Sequence, residues 1–388
     1  MEPTVVLSDE QEQLKELTRK VGNELYAAKA TEWDMTSTAF PVEERRRLAG
    51  LGLVGVTIPE EYGGSGRPLL DALVVIEELA KACPLAAWPT FEASTGPARV
   101  IELFGTEEQR RRFLPPVAEG EVTIAVSISE PDAGTAATDL VTAAFAKDEE
   151  LVINGAKRWC SGAGRAEQYL VYVRLGAEKG AGGIGAVLVD RDTPGLTFGP
   201  QESLMGHHGV GSADMYFADV RVPLGNLVVA KGGFSKLFKA FSIERLGNAT
   251  NSLAIGQACL DKSAEYVRQR RQFGREIGEF QLVQAAIADM AIDVQAARLL
   301  IYNAARGAGS GYPSPLDASM AKCFSNEMAK RVADRAVQLH GGYGYTVEYG
   351  IERLLRDAHG WALAGGTGNI QRTRIASEYL GRKFSQRA

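Results

Sequence analysis

Residues 119–135 read EGEVTIAVSISEPDAGT, and here the chain changes character. TIAVSI is the first of several short runs rich in Val, Ile and Tyr, and Pro131 and Gly134 turn the chain after it. Upstream the pattern is helical. Ser8 begins a capping box with Gln11, and Leu14, Leu17, Val21 and Leu25 recur at helical spacing. Pro41 can start a second helix through Leu51; after the turn-forming EYGGSGRP of 61–68, Leu69 to Cys83 reads helical again. Downstream come LVI, QYLVYV, IGAVLV and DMYFADVRV, separated by Gly, Pro and Asp. Asn154-Gly155, between LVI and AKRW, predicts a tight hairpin because such a pair supplies two positive-φ residues. Beyond Pro223 and Gly232-Gly233, Phe234 to about Arg270 reads as one long helix, with further helices to the C-terminus.

The expected organisation is therefore helices (1–120), strands (121–228) and helices (229–388). With 388 residues, 45% hydrophobic and 23% charged, the chain can bury a large core in two or three subdomains. A net charge of −5 with no basic run argues against nucleic acid and anionic membrane as partners. MEPTVVLSDEQEQ has neither a basic nor an apolar targeting segment, and no run is long enough to span a bilayer, so a cytoplasmic protein is expected. Cys83, Cys160, Cys259 and Cys323 are widely spaced and imply neither disulfides nor a metal cluster with the four histidines. His207 and His208 are neighbours on a predicted strand, where adjacent side chains point to opposite faces, so they are read as structural, and Cys160 as packing.

Four separated segments carry chemistry: SISEPDAGT (127–135), WCSGAG (159–164), RRQFGREIGEFQLVQ (270–284) and QLHGGYGYT (338–346). Together, in this order and spacing, they resemble the acyl-CoA dehydrogenases over nearly the whole chain. That family implies an α+β multidomain fold: an N-terminal helical domain, a middle β-barrel or sandwich domain and a C-terminal four-helix bundle. It also implies FAD as cofactor. By the resemblance, Val126, Ile128 and the Ser129 hydroxyl meet the flavin ring, Trp159 packs against it, and Ser161 hydrogen-bonds its N5 edge where a Thr is more usual. Thr135 contacts the CoA thioester arm. Arg270, Gln272, Phe273 and Gln281, with Gln338, Leu339, Gly341 and Gly342, reach the FAD held by a neighbouring subunit, so a homo-oligomer, a tetramer in the family, is implied. GGTGNIQR at 365–372 matches the last flavin-contacting loop, with Thr367 and with Asn369 in place of a more usual Gln or Glu.

Oxidising a thioester between its α and β carbons requires a base for the α-proton while the β-hydride leaves for the flavin, and a single carboxylate suffices. Many family members place that Glu directly before the Gly-Thr of the last loop. Here the residue is Gly365. A subgroup that includes the isovaleryl-CoA and long-chain acyl-CoA dehydrogenases carries the Glu on the long C-terminal helix before an Arg, and this chain has Glu244-Arg245 there. Glu244 is thus the candidate base, Arg245 a substrate-binding residue, and the Gly365 backbone N–H a donor to the thioester oxygen. Gly247, Ala249, Ser252, Ala254 and Gly256 make the following turns small enough for another backbone or a ligand to approach. The family implies acyl-CoA as substrate and electron transfer flavoprotein as acceptor. Chain length, branching and a carrier-protein thioester stay open, as do a flavin oxidase or N-hydroxylase on the same fold and a catalytically silent subunit of a partner dehydrogenase.

Overall fold

The computed structural model describes residues 7–309, 311–382 and 384. Residues 1–6, part of the stretch read for a targeting signal, lie outside them. Seven α-helices come first: α1 (Asp9–Val21), α2 (Ala30–Met35), α3 (Val42–Gly50), α4 (Leu69–Ala82), α5 (Pro84–Ser94), α6 (Pro97–Phe104) and α7 (Glu107–Ala118). The capping box forms as expected: Gln11 N–H donates to Ser8 Oγ at 3.3 Å and Ser8 N–H to Gln11 Oε1 at 3.0 Å. α4 is buried nearly all round because it packs on α1 and α5 and also on the long C-terminal helix described below.

The strands follow: β1 (Ile124–Ser127), β2 (Ala143–Lys147), β3 (Glu150–Ser161), β4 (Gln168–Leu175), β5 (Ile184–Asp190), β6 (Leu196–Phe198), β7 (Ser212–Pro223) and β8 (Leu227–Val229). They form one sheet in the order β6-β7-β3-β2-β4-β5-β8, with β1 parallel to β4. Alternation along β4 buries both faces. Leu170 and Tyr172 join the helical core, whereas Tyr169, Val171 and Val173 pack with Ile153, Met215 and Phe217 of β3 and β7, so the sheet coils around a core of its own.

The hairpin expected at Asn154-Gly155 is not there. β3 runs straight through both residues, and the turn joining β2 to β3 lies at Asp148-Glu149, with Asp148 at φ 55°. The pair instead marks an irregularity in the β3–β7 register. Asn154 exchanges hydrogen bonds with Asp219 (3.0 and 2.9 Å), and Gly155, at φ 144°, is needed because a Cβ would meet Thr142 Cα at 2.7 Å. Gly155→Ala should therefore destabilise the protein by about 1–3 kcal/mol, read as a lower thermal midpoint of flavin release. An unchanged midpoint would show that the sheet absorbs the methyl group. The two-residue hairpin with two positive φ values occurs elsewhere, at Phe273-Gly274 (φ 53° and 80°).

The C-terminal part comprises α8 (Phe234–Gln269), the β9 (Arg271–Gln272) and β10 (Arg275–Glu276) hairpin, α9 (Gln281–Gly307), α10 (Pro315–His340), α11 (Ile351–Leu363) and α12 (Gly368–Tyr379). The small residues of α8 admit neighbouring helices. A Cβ on Gly247 would strike Thr95 Oγ1 and Phe91 of α5, and one on Gly256 would meet Met328 Sδ of α10 at 2.6 Å. No described helix is long and apolar enough to cross a membrane.

Candidate active site

Two of the sequence motifs meet where β1 ends. Arg158 N–H donates to Ser129 O (2.8 Å), Lys157 Nζ to Ile128 O (2.9 Å) and Cys160 Sγ to Val126 O (3.4 Å), so 126–129 lies against the end of β3. Buried Lys157 also pairs with Glu130 at 2.9 Å, and Glu130 accepts from the Val141 and Thr142 N–H groups, which anchors the Glu-Pro turn from below. The β3–β7 register slips between Lys157 and Cys160, and Trp159 there takes φ 59°. That bulge turns its indole outward, 54% exposed, instead of into the sheet core. An exposed aromatic platform therefore sits on the strand that carries Ser161 and lies against the Ser129 segment, both hydroxyl residues being partly exposed. Thr135 lies beyond, on the exposed loop after Gly134. Cys160 is buried, and burial pushes its thiol up to about 12.

Deeper in the molecule, α8 carries Glu244, Asn248 and Ser252 four residues apart and hence on one face. α10 meets that face with Lys322 and Asn326. Asn326 Nδ2 donates to Asn248 Oδ1 (2.9 Å) and Ser252 Oγ (2.7 Å), and Lys322 Nζ donates to Asn326 Oδ1 (2.9 Å) and Gly366 O (3.1 Å). The loop between α11 and α12 is thereby held over Glu244. Asn248 Nδ2 binds Trp361 O (3.1 Å), and Gln371 Nε2 binds Gly366 O (2.9 Å). Gly365 and Gly366 both adopt positive φ, 67° and 89°, and the Gly365 N–H donates to no acceptor among the described residues. A Cβ built on Gly365 would lie 3.8 Å from Glu244 Oε1 and 3.3 Å from Lys322 Cε. A side chain on residue 365 would thus begin beside the Glu244 carboxylate.

The electrostatics there are unusual. Burial pushes Glu244 up to about 7, with Arg245 and Lys322 pulling the other way. Burial and Arg245 pull Lys322 down to about 7, opposed by Glu244. Arg245 is buried beside the Phe238 and Phe241 rings, with Nε and Nη1 lacking any hydrogen-bond partner among the described residues. Two further groups face Glu244: the buried carboxyl of Glu92, raised well above its ordinary range first by burial and then by Glu244, and the buried Tyr172 phenol, raised for the same reasons. Neither was anticipated from the sequence, nor were Asn248, Lys322 and Asn326. The one sequence signal for the last three was the polar i, i+4 spacing on α8 and α10.

A third group lies at the far end of α8. Arg270, Gln272, Gln338, Leu339, Gly341 and Gly342 line one open cavity of about 440 Å³, together with Tyr266 and Tyr343. A guanidinium, two amides and bare glycine backbone suit a phosphate-bearing nucleotide. Phe273 (93% exposed) and Gln281 lie outside that cavity on the exposed surface, as does Asn369 on the first turn of α12; Thr367 precedes that helix and is partly exposed. His207 and His208 engage different elements: His207 N–H donates to Asp357 Oδ1 at 2.7 Å, and the His208 ring lies 3.1 Å from Asp34 O and 2.9 Å from Leu204 O.

The descriptions of the N-terminal, middle and C-terminal domains of acyl-CoA dehydrogenase match residues 8–121, 125–220 and 231–380. The chain is 38% identical to a probable acyl-CoA dehydrogenase of Bacillus subtilis over 96% of this chain and 99% of that one. It is 37% identical to the mitochondrial isobutyryl-CoA dehydrogenase of Dictyostelium discoideum, covering 97% and 90%. The structure of butyryl-CoA dehydrogenase from Megasphaera elsdenii superposes with a TM-score of 0.93 at 34% identity, covering 97% of this chain and 99% of that one. The expected three-part architecture is present, and with all three domains matched in order the chain belongs to the acyl-CoA dehydrogenase family of flavin-dependent oxidoreductases.

Proposed function

We propose that this enzyme desaturates an acyl-CoA thioester between its α and β carbons, with Glu244 removing the α-proton. The observation that carries the reading is the 3.8 Å between Glu244 Oε1 and the point where a side chain on residue 365 would begin. A carboxylate held in a dry site at about 7 is matched to taking a proton near neutral pH. The unengaged Gly365 N–H is available to the thioester oxygen, whose hydrogen bonding acidifies the α-carbon. Arg245 would give its two unpartnered donors to polar groups of the CoA arm, and Thr135 its hydroxyl to the thioester side. FAD, when bound, supplies the acceptor for the β-hydride. Val126, Ile128, Ser129, Trp159 and Ser161 would hold its ring, with Thr367 and Asn369 beyond.

Arg270 follows the C-terminus of α8, about 40 Å along the helix from Glu244 at 1.5 Å per residue. That is too far for both to serve one dinucleotide. The Arg270 cavity is therefore best read as serving the FAD of a second copy, with Phe273 and Gln281 extending the contact, in a homo-oligomer. Arg270→Ala should then weaken FAD retention by roughly tenfold to a hundredfold, as loss of a charge-assisted hydrogen bond does. Ultrafiltration of the purified holoenzyme measures this, and retention equal to wild type would remove Arg270 from the cofactor site. Electron transfer flavoprotein is the proposed acceptor.

Anaerobic addition of straight, branched and alicyclic acyl-CoAs to the purified holoenzyme tests the function. A substrate that bleaches the flavin and appears as the enoyl-CoA supports desaturation. Reduction only by nitroalkanes or amines would favour oxidase chemistry, and bound FAD that no acyl-CoA bleaches would favour a silent subunit.

A further inference from the structure

We propose that Lys322 is a positioning residue for the α-proton transfer: it clamps the loop that carries Gly365 and supplies a cationic charge facing Glu244. The inference rests on Glu244 being the base. A lysine with no exposed surface is costly unless its ammonium is engaged. Two of its three donors are used, on Asn326 Oδ1 and on Gly366 O, and its stem passes 3.3 Å from a Cβ at Gly365. The Gly366 carbonyl, in the peptide that joins Gly366 to Thr367, is gripped from the other side by Gln371, so the loop just after Gly365 is held between α10 and α12.

That clamp matters because Gly365 and Gly366 have no side chains of their own and occupy a region of backbone space open to few other residues. The N–H of Gly365 shares its peptide with the Ala364 carbonyl, which Asn248 Nδ2 reaches at 3.5 Å, and Asn248 is tied through Asn326 to Lys322. Held on both sides, the donor is aimed beforehand, as an effective oxyanion donor must be. The same ammonium acts on the carboxylate. Glu244 faces Arg245 on its own helix, Lys322 from α10, Glu92 from α5 and Tyr172 from β4, while Arg374 of α12 acts on Arg245. Burial raises Glu244, and Lys322 is one of two cations that restrain the rise. Second-order rates should increase with pH through the ionisation of Glu244, on the acidic side of the profile where Lys322, lowered to about 7 by burial and Arg245, still carries its proton. Removal of Lys322 should move that rise to higher pH, because an opposite charge favours the ionised base.

The test compares wild type, Lys322→Met, Lys322→Gln and Glu244→Gln as FAD-loaded enzymes, following kcat/KM with the best acyl-CoA from pH 5.5 to 9 together with bound-flavin absorbance. Met removes both charge and hydrogen bonds; Gln keeps donors without the charge. Both should shift the acidic limb upward by about one pH unit, and Met should also lower the pH-independent plateau by roughly tenfold, with Gln losing less. A lysine with a merely structural role would leave the limb where it is. Limbs in both Lys322 variants that superpose on wild type would overturn the proposal, as would a Lys322→Gln protein that cannot be isolated with FAD bound, which would assign the lysine to the fold. If instead Glu244→Gln turns over like wild type, the base assignment itself fails, whatever the lysine variants do.

Discussion

Replacing Glu244 by Gln should slow anaerobic flavin reduction by an acyl-CoA roughly a hundredfold to ten-thousandfold, the range expected for loss of a positioned general base. The substitution is close to isosteric, and the hydrogen bonds that fix the surrounding loop and helices run between Asn248, Lys322, Asn326 and the backbone of Trp361 and Gly366, not through Glu244. The Lys322 clamp on the loop does not involve Glu244, so the Gly365 N–H should keep its direction. FAD should stay bound, because the cavity at Arg270 and the Trp159 platform are built by other residues. Stopped-flow absorbance separates these outcomes: full flavin absorbance before mixing with a slow phase after it supports the assignment, whereas a rate within a few-fold of wild type removes Glu244 from the chemistry.

The second large effect comes from moving the carboxylate. A side chain on residue 365 starts 3.8 Å from Glu244 Oε1, so Glu244→Gly combined with Gly365→Glu should place a base at nearly the same point. The exchange has costs. Residue 365 sits at φ 67°, about 1–2 kcal/mol unfavourable for a residue with a Cβ, and the Lys322 stem at 3.3 Å must give slightly. Full recovery is therefore not expected; a gain of roughly tenfold or more over Glu244→Gly alone is. Gly365→Glu in the otherwise native chain should be harmful, because two carboxylates would then face each other in a dry site and one would hold its proton. An exchanged enzyme no faster than Glu244→Gly would mean that the two positions are not interchangeable.

Much of this was legible in the order of residues. The capping box at Ser8, the length of α8 and the switch to strands near residue 121 are local patterns, and local patterns survive without tertiary knowledge. Asn154-Gly155 misled because the same dipeptide satisfies two demands. A hairpin wants positive φ at both residues, whereas here only the glycine is unusual, and it is required by the approach of Thr142. Trp159 could equally have filled a sheet face; the bulge that turns it outward depends on the β7 register and has no signature in WCSGAG. Lys322 was illegible for a different reason. Its functional neighbours, Glu244 and Gly366, lie far away in the chain, and a lone lysine in a helix ordinarily implies solvent.

Proton removal by Glu244 can be measured apart from electron transfer. A 3-thiaacyl-CoA has sulfur at the β position and no β-hydride to give, so the only chemistry open to it is loss of its α-proton. Incubated with the holoenzyme in D2O and followed by NMR, its α-hydrogens should exchange rapidly with wild type and at least about a hundredfold more slowly with Glu244→Gln, while flavin absorbance reports that the analogue binds both. Equal exchange rates in the two proteins would show that a group other than Glu244 removes the proton.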